Sequence, residues 1–225
     1  MTKYDVSIIT ITKNDPEGLN KTSSSILKLI FQGEIEWLIL DGSNEDSFLK
    51  NKKIISALDT KKSLTSQQIN LNTLSINGIY NSMDYGLKIA QGESIIFMNG
   101  GDEFFNKNSI SKLYNVLKGL NNKNSFSFGQ ALIYKNNYLK WKFPHQNISN
   151  IKRWLKHTEP NHQSMLIMTK FAKKFKFCGF GDLYADEYWK RRIIENASVF
   201  YYLNELTCIF NLDGISNKKL KFKQL

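Results

Sequence analysis

Throughout the first half of the chain, short β-branched and apolar runs alternate with segments of helical pattern, and this alternation limits the fold more than any other feature. Val6 to Ile11 is a β-branched run of the kind found in central parallel strands covered on both faces. Asp15-Pro16-Glu17 follows with an N-cap, a proline at N1 and an early acid. Leu19, Ile26, Leu27, Ile30 and Phe31 then recur at helical spacing up to a stop at Gly33. Glu36 to Leu40 reads as a second buried strand, Asn44 to Leu58 as a lysine-rich helix, and Ile69 to Leu74 as a weaker strand. Ile79 to Ala90 is a helix closed by Gln91-Gly92, and Ser94 to Met98 is a strand ending at Asn99-Gly100-Gly101-Asp102. The βαβαβαβ order predicts a single α/β domain whose open, mostly parallel central sheet is flanked by helices. Such sheets bind ligands beyond the carboxyl ends of their strands. Three of those ends carry polar turn residues: Thr12-Lys13-Asn14, Asp41-Gly42-Ser43 and Asn99 to Asp102.

The pattern changes after Asp102. Phe126 to Tyr134 and Tyr138 to Phe143 read as a hairpin joined at Lys135-Asn136-Asn137, and Ser164 to Met168 as a further strand. Asp186 to Glu195 reads as a helix, followed by strands over Val199 to Leu203 and Leu206 to Phe210. With 225 residues and no Pro-, Gly- or Ser-rich linker, the expected division is one domain over 1–215 and a basic tail over 216–225. Within the domain, the expected division is a nucleotide-binding half over 1–105 followed by an acceptor-facing half over 106–215. Cys178 and Cys208 sit in apolar runs without metal-type spacing, as buried free thiols do. The apolar N-terminal stretch is too short and too polar at its flanks for a signal peptide or membrane span. A cytoplasmic protein, soluble or peripheral at the inner membrane face, is therefore expected.

Asn99-Gly100-Gly101-Asp102-Glu103 is the sharpest chemical feature. A strand delivers a carboxylate to a glycine turn, where no side chain obstructs the approach of a metal–diphosphate. Hard cations such as Mn²⁺ or Mg²⁺ take oxygen ligands from one or two carboxylates together with phosphate oxygens. Asp102 is the candidate ligand, with Glu103 as a second; an ordinary β-turn uses the same residue types. Asp41, directly after a buried strand, suits either a ribose or base contact or a turn cap.

In combination these segments resemble the family 2 glycosyltransferases of GT-A fold, and most closely the small bacterial enzymes of colanic acid, O-antigen (lipopolysaccharide) and capsule polysaccharide biosynthesis. The resemblance rests on Val6 to Asn14, Leu40 to Asp46, Gly78 to Leu87, Ala90 to Asp102, His162-Gln163-Ser164 and Ala185-Asp186, which occur in the family's order. It implies an inverting hexosyltransferase that moves a sugar from a nucleotide donor, UDP-linked hexose or N-acetylhexosamine, onto a polyprenyl-diphosphate-linked oligosaccharide. It implies that Thr10, Thr12, Asn14, Asp41, Tyr80, Met83, Asn99, Gly101 and His162 bind substrate, with Asp41 facing the base. Asp102 then takes the metal, Mn²⁺ or Mg²⁺. Asp186 is the implied catalytic base, with Glu187 in reserve. Gly101 stands where many members carry another acid, and Lys13 where a tyrosine is usual.

The formal charge of +11 comes from 31 Lys and Arg against 20 Asp and Glu, and lysines cluster late in the chain. Such a surface suits a peripheral position on the anionic inner face of a membrane, or it reflects lysine-rich composition alone. Ile151 to Leu155, bracketed by basic residues, is a candidate contact, as is the tail. Trp154, Tyr184 and Trp189 are candidates for a sugar-stacking platform or for core packing. A nucleotidyltransferase would want a glycine- and basic-rich loop after the first strand, and Thr12-Lys13-Asn14-Asp15 is not one. A scaffold for membrane or nucleic acid would not converge acids at strand ends, so no nucleic-acid partner is expected. A degenerate transferase that only binds nucleotide is the remaining alternative.

Overall fold

The computed structural model describes residues 3–62, 69–76, 78–135, 139–145, 148, 150–177 and 184–212. Asn136 and Asn137 of the expected turn, Cys178 and the tail over 216–225 lie outside the described residues.

The first half folds as the alternation requires. Strands β1 (Tyr4–Thr12), β2 (Ile35–Asp41), β3 (Ile69–Ser75) and β4 (Gly92–Phe97) are separated by helices α1 (Pro16–Leu27), α2 (Glu45–Lys62) and α3 (Ile79–Ile89). β1 pairs in parallel with β2 and β4, and β2 with β3. Every residue of β2 is buried, which is why that run carries no alternation. Asp15 caps α1 by accepting from Gly18 N at 2.9 Å, with Pro16 in the first turn. The helix ends at Leu27 rather than near Gly33, because Ile30 N donates to Lys107 O at 2.8 Å instead of continuing the helix. The chain leaves β1 on one side for β2 and β3, then returns to β1's other side as β4. That reversal opens a crevice at the carboxyl ends of β1 and β4.

The second half makes the sheet mixed rather than mostly parallel. After β5 (Glu103–Phe104) and α4 (Ser109–Gly119) come β6 (Ser125–Lys135), β7 (Leu139–Phe143), α5 (Ile151–Leu155), β8 (Met165–Met168), α6 (Thr169–Ala172), α7 (Ala185–Asn196) and β9 (Val199–Asn211). The order across the sheet is β3-β2-β1-β4-β8-β6-β9-β5, with β7 on β6. β8 is antiparallel to β4 and β6, β7 to β6 and β5 to β9, whereas β6 and β9 run in parallel. The two strands expected near the end are one long strand, β9, which follows β6 through a register shift around Gln130.

Both faces of the sheet are covered. Leu19, Ile26, Trp37 and Leu113 belong to one apolar cluster; Met83, Phe97, Phe177 and Trp189 belong to the other. Trp189 is fully buried and stacks on Phe177 at 4.5 Å, and the half-buried Trp154 stacks on Phe128 at 6.2 Å. Of the three aromatics considered for a sugar platform, Tyr184 alone is exposed.

Candidate active site

The turn between β4 and β5 lies against the end of β1. Gly100 N donates to Ile11 O at 2.9 Å, and Asp102 N to Asn99 O at 3.0 Å. Gly101 has φ +97, a conformation that a side chain would strain. Thr22 of α1 holds the turn from below: its hydroxyl accepts from Gly101 N at 3.0 Å and donates to the carbonyls of Asp102 at 2.6 Å and Asn99 at 3.0 Å. Nothing local in the sequence marks Thr22 for this task.

Asp102 is 4% exposed. Its Oδ2 accepts from Gln163 Nε2 at 2.7 Å, and its Oδ1 from Asn211 N at 3.1 Å. Burial pushes its carboxyl up to about 7, against the lowering effect of those two hydrogen bonds. The side chain is thus a carboxylate short of positive charge. Each of its oxygens has a further lone pair. On the turn and the residues packed on it, Thr12 Oγ1 beside Gly100, Asn99 Oδ1 and the Oε1 of Gln163 are buried with no partner among the described residues. Neutral oxygens beside one undercompensated carboxylate suit a hard cation that keeps phosphate or water ligands. Glu103 lies in β5, opposite Ile209 of β9. Among the described residues there is no cluster of three or more His, Cys, Asp or Glu able to enclose a metal. The donor set therefore fits a cation shared with a ligand, not one caged by protein.

Asn99 links this turn to α7. Its Nδ2 lies 3.1 Å from His162 Nε2. An amide nitrogen only donates, so Nε2 accepts and the neutral ring carries its proton on Nδ1. That nitrogen faces Asp186 Oδ2 at 3.7 Å, and Lys190 Nζ lies 3.7 Å from the same oxygen, one turn along α7. Burial holds the His162 imidazole below its usual range, against the pull of Asp186. For Asp186, burial works upward, but the polar contact with His162 and the Lys190 charge outweigh it and hold the carboxyl well below the usual range. Asp186 is consequently an ionised base that two neighbours orient. Glu187 is exposed on another face of α7, beside Tyr188 and Arg191.

The remaining expected residues fall into three groups. Thr12 and Asn14 flank the crevice at the end of β1. Asn14 adopts φ +53, its Oδ1 accepts from Asn44 N at 2.8 Å, and its N donates to Ser43 Oγ at 2.7 Å, which ties the first two strand-end loops together. Asp41 is fully buried; Ser43 N and Asn51 Nδ2 donate to its two oxygens, each at 2.9 Å. It braces the β2 loop from within. Thr10 and Met83 lie beneath the crevice, not on its wall. Thr10 Oγ1 accepts from Trp37 Nε1 at 3.0 Å inside the sheet, and Met83 packs in the apolar cluster under α3. Half-buried Tyr80 stacks on Phe177 at 6.4 Å. Thr22, Gln163, Lys190 and Asn211 are contributors that sequence reasoning did not assign; of these Lys190 carried a signal, being four residues beyond Asp186 on one helix.

Several known proteins share this architecture. A fragment of TarS from S. aureus in complex with UDP superposes with a TM-score of 0.69 at 16% identity, covering 92% of this chain and 60% of that one. The same fragment in complex with UDP-GlcNAc gives 0.67 at 15% identity, covering 92% and 58%. A mannosyltransferase from Pyrobaculum calidifontis in complex with GDP-Man and Mn²⁺ gives 0.61 at 12% identity, covering 98% and 61%. These likenesses establish the GT-A fold. An uncharacterized glycosyltransferase of Mycobacterium tuberculosis, in two strains, is 25% identical over 114 residues, which are 51% of this chain and 40% of that protein. The chain thus aligns with less than half the length of those curated relatives. The profile of glycosyl transferase family 2 matches residues 7–179, which take in the β1 loop, the Asp102 turn and His162 but not α7. With that match across most of its length, the chain belongs to glycosyl transferase family 2.

Proposed function

We infer that this protein is an inverting glycosyltransferase that uses a nucleotide-sugar donor, with Asp102 and Asp186 as the two acids of the reaction. The observation that carries this reading is the path from Asn99 through His162 to Asp186, which ties a candidate base to the donor-side turn. UDP-linked hexose or N-acetylhexosamine is the proposed donor, since the TarS structures hold UDP and UDP-GlcNAc.

Gly100 packs against Thr12, while Gly101, where a Cβ would meet only Asp15 Oδ2 at 3.8 Å, leaves its side of the turn uncrowded for the diphosphate. Thr12 Oγ1 and Asn99 Oδ1 are unpartnered oxygens of the same region among the described residues. Asp102 would hold Mn²⁺ or Mg²⁺ through its spare lone pairs, as the Mn²⁺ in the mannosyltransferase complex encourages. Such a cation supplies charge neutralisation for the departing diphosphate. Asp186 accepts the proton of the acceptor hydroxyl. The oxygen's electron pair forms the bond to the anomeric carbon while the bond to the diphosphate oxygen breaks, and one displacement inverts that carbon. His162 keeps its proton on Nδ1 and orients Asp186, and Lys190 keeps that carboxylate ionised.

The proposed acceptor is a growing bacterial surface polysaccharide on a polyprenyl diphosphate. The charge of +11 and the exposed Lys152 and Arg153 of α5, with Lys156 just after it, support a peripheral position at an anionic membrane face. No helix among the described residues is long and apolar enough to cross a membrane.

A screen of UDP-glucose, UDP-galactose, UDP-GlcNAc, UDP-GalNAc and GDP-mannose with Mn²⁺, read as nucleotide release, tests the reading. Release from at least one donor, suppressed by EDTA and by Asp102→Ala, is expected. Nucleotide binding without release from any donor would instead support a degenerate, binding-only homologue.

A further inference from the structure

A second cluster on α7 takes no part in the chemistry above. Tyr184, at the start of the helix, and Tyr188, one turn on, are 51% and 48% exposed. Glu159, Glu187 and Arg191 complete an open pocket of about 330 Å³ with them. That volume lies near the lower end of pockets that hold small ligands, about 300–1,000 Å³. Arg191 is fixed in place: Nη1 donates to Leu155 O at 2.6 Å, and Nη2 pairs with Glu159. Tyr184, Tyr188 and Arg191 recur at i, i+4 and i+7, so they form one stripe along the helix. Asp186 and Lys190 lie on a different stripe, turned toward His162, and Trp189 and Ile193 point into the core. The pocket and Asp186 therefore open on different sides of one helix.

Two accessible aromatic rings beside carboxylates and an anchored guanidinium match a pyranose. The rings cover its C–H face, and the charged groups hydrogen-bond its hydroxyls. Charge narrows the ligand further. Two glutamates against one arginine leave the pocket net negative on a chain of net charge +11. That balance favours anionic ligands such as phosphates, phospholipid headgroups and nucleic acid less here than on the basic surface around it. Uncharged and amino sugars are not disfavoured in this way.

We propose that this pocket is a second carbohydrate-binding site, which holds an uncharged or amino pyranose of the acceptor chain away from the sugar being extended. Its place in an acceptor chain rests on the transferase reading; the binding of a pyranose does not. Such a site keeps a growing chain on the enzyme between transfers and raises the local concentration of its end at Asp186.

Saturation-transfer NMR on the full chain, without nucleotide, tests the proposal with the methyl glycosides of glucose, galactose, N-acetylglucosamine and glucosamine. Saturation of ring protons is expected for at least one glycoside with the wild type, with Asp186→Asn and with the paired Tyr184→Phe/Tyr188→Phe variant. The paired Tyr184→Ala/Tyr188→Ala variant is expected to bind about tenfold more weakly. Should that pair not fold, Tyr184→Ala alone, at an exposed position, gives the same reading. No saturation from any of the four glycosides, equal saturation in the alanine variant, or displacement of the sugar by inorganic diphosphate would each overturn the site. Sugar binding at the tyrosines without donor hydrolysis removes the transferase reading and leaves the site; hydrolysis without sugar binding does the reverse.

Discussion

Asp102 is a buried carboxylate and Asp186 a half-buried one, and their surroundings act on them in opposite directions. Asp102 has two neutral hydrogen-bond donors and no cation acting on it among the described residues, so burial dominates and its carboxyl rises to about 7 from an ordinary value of 3.8. A carboxyl raised in the folded state stabilises the fold most fully below the unfolded value, and that contribution is lost as pH rises through about 7. Asp102→Asn cannot ionise and gives up the acceptor facing Asn211 N, at a cost of about 1 kcal/mol. In metal-free buffer its melting temperature should rise relative to the wild type's between pH 5 and pH 8, as the wild type loses the stability of its neutral carboxyl. A gap that is constant across this range contradicts the assignment. Asp186 is held low by its contact with His162 and by Lys190, against the effect of burial, whereas Glu187 is exposed in the tyrosine pocket. Asp186→Asn is therefore expected to lower kcat about 10²–10⁴-fold, with Glu187→Gln within a few-fold of wild type in a transfer assay. Little of this was visible along the chain. Thr22, Gln163 and Asn211 reach Asp102 across 80, 61 and 109 residues, and no local spacing can announce such contacts.

At the scale of elements, α3 meets the sheet through Gly86. A Cβ there would lie 2.7 Å from Ile9 Cγ2 and 2.8 Å from Leu40 Cδ1. Gly86→Ala should cost roughly 1–3 kcal/mol by overpacking, partly offset by better helix propensity. Gly119, at the end of α4, has nothing within 4 Å of its Cβ position, so Gly119→Ala should leave stability unchanged or slightly raised. Urea midpoints at an unchanged slope check both. The elements read best from sequence are those whose burial leaves a local mark. β1 and β2 are covered on both faces, and α1 begins with Asp15 as a cap before Pro16. α4 was missed although Ile110, Leu113 and Leu117 are buried at helical spacing, because its start carries no acid and Asn108 makes no side-chain cap. β9 was split at the polar Asn204-Glu205 pair; its continuity depends on pairing with β6, a partner distant in sequence.

The whole molecule joins a parallel, loop-bearing half to a mixed half through β4 and β8. The order of the first half was legible because each crossover leaves an apolar run and a helical pattern. The mixed character of the second half was not, since strand direction leaves no mark on composition. Net charge also acts at this scale. If the +11 surface supports a peripheral position, cosedimentation with vesicles containing phosphatidylglycerol should fall steeply between about 0.05 and 0.5 M NaCl, where the Debye length drops below about 10 Å. Neutral phosphatidylcholine vesicles should not retain the protein; equal retention by both would rule out the electrostatic basis. The central claim is that the Asp102 turn binds the diphosphate of a nucleotide donor together with a divalent cation. Calorimetric titration of UDP and GDP into the wild type and Asp102→Ala, with Mn²⁺ and with EDTA, tests it most directly. The expected result is binding of one nucleotide with Mn²⁺ that weakens at least about tenfold in EDTA and in the variant. Failure of the wild type to bind either nucleotide, or undiminished Mn²⁺-dependent binding by Asp102→Ala, would contradict it.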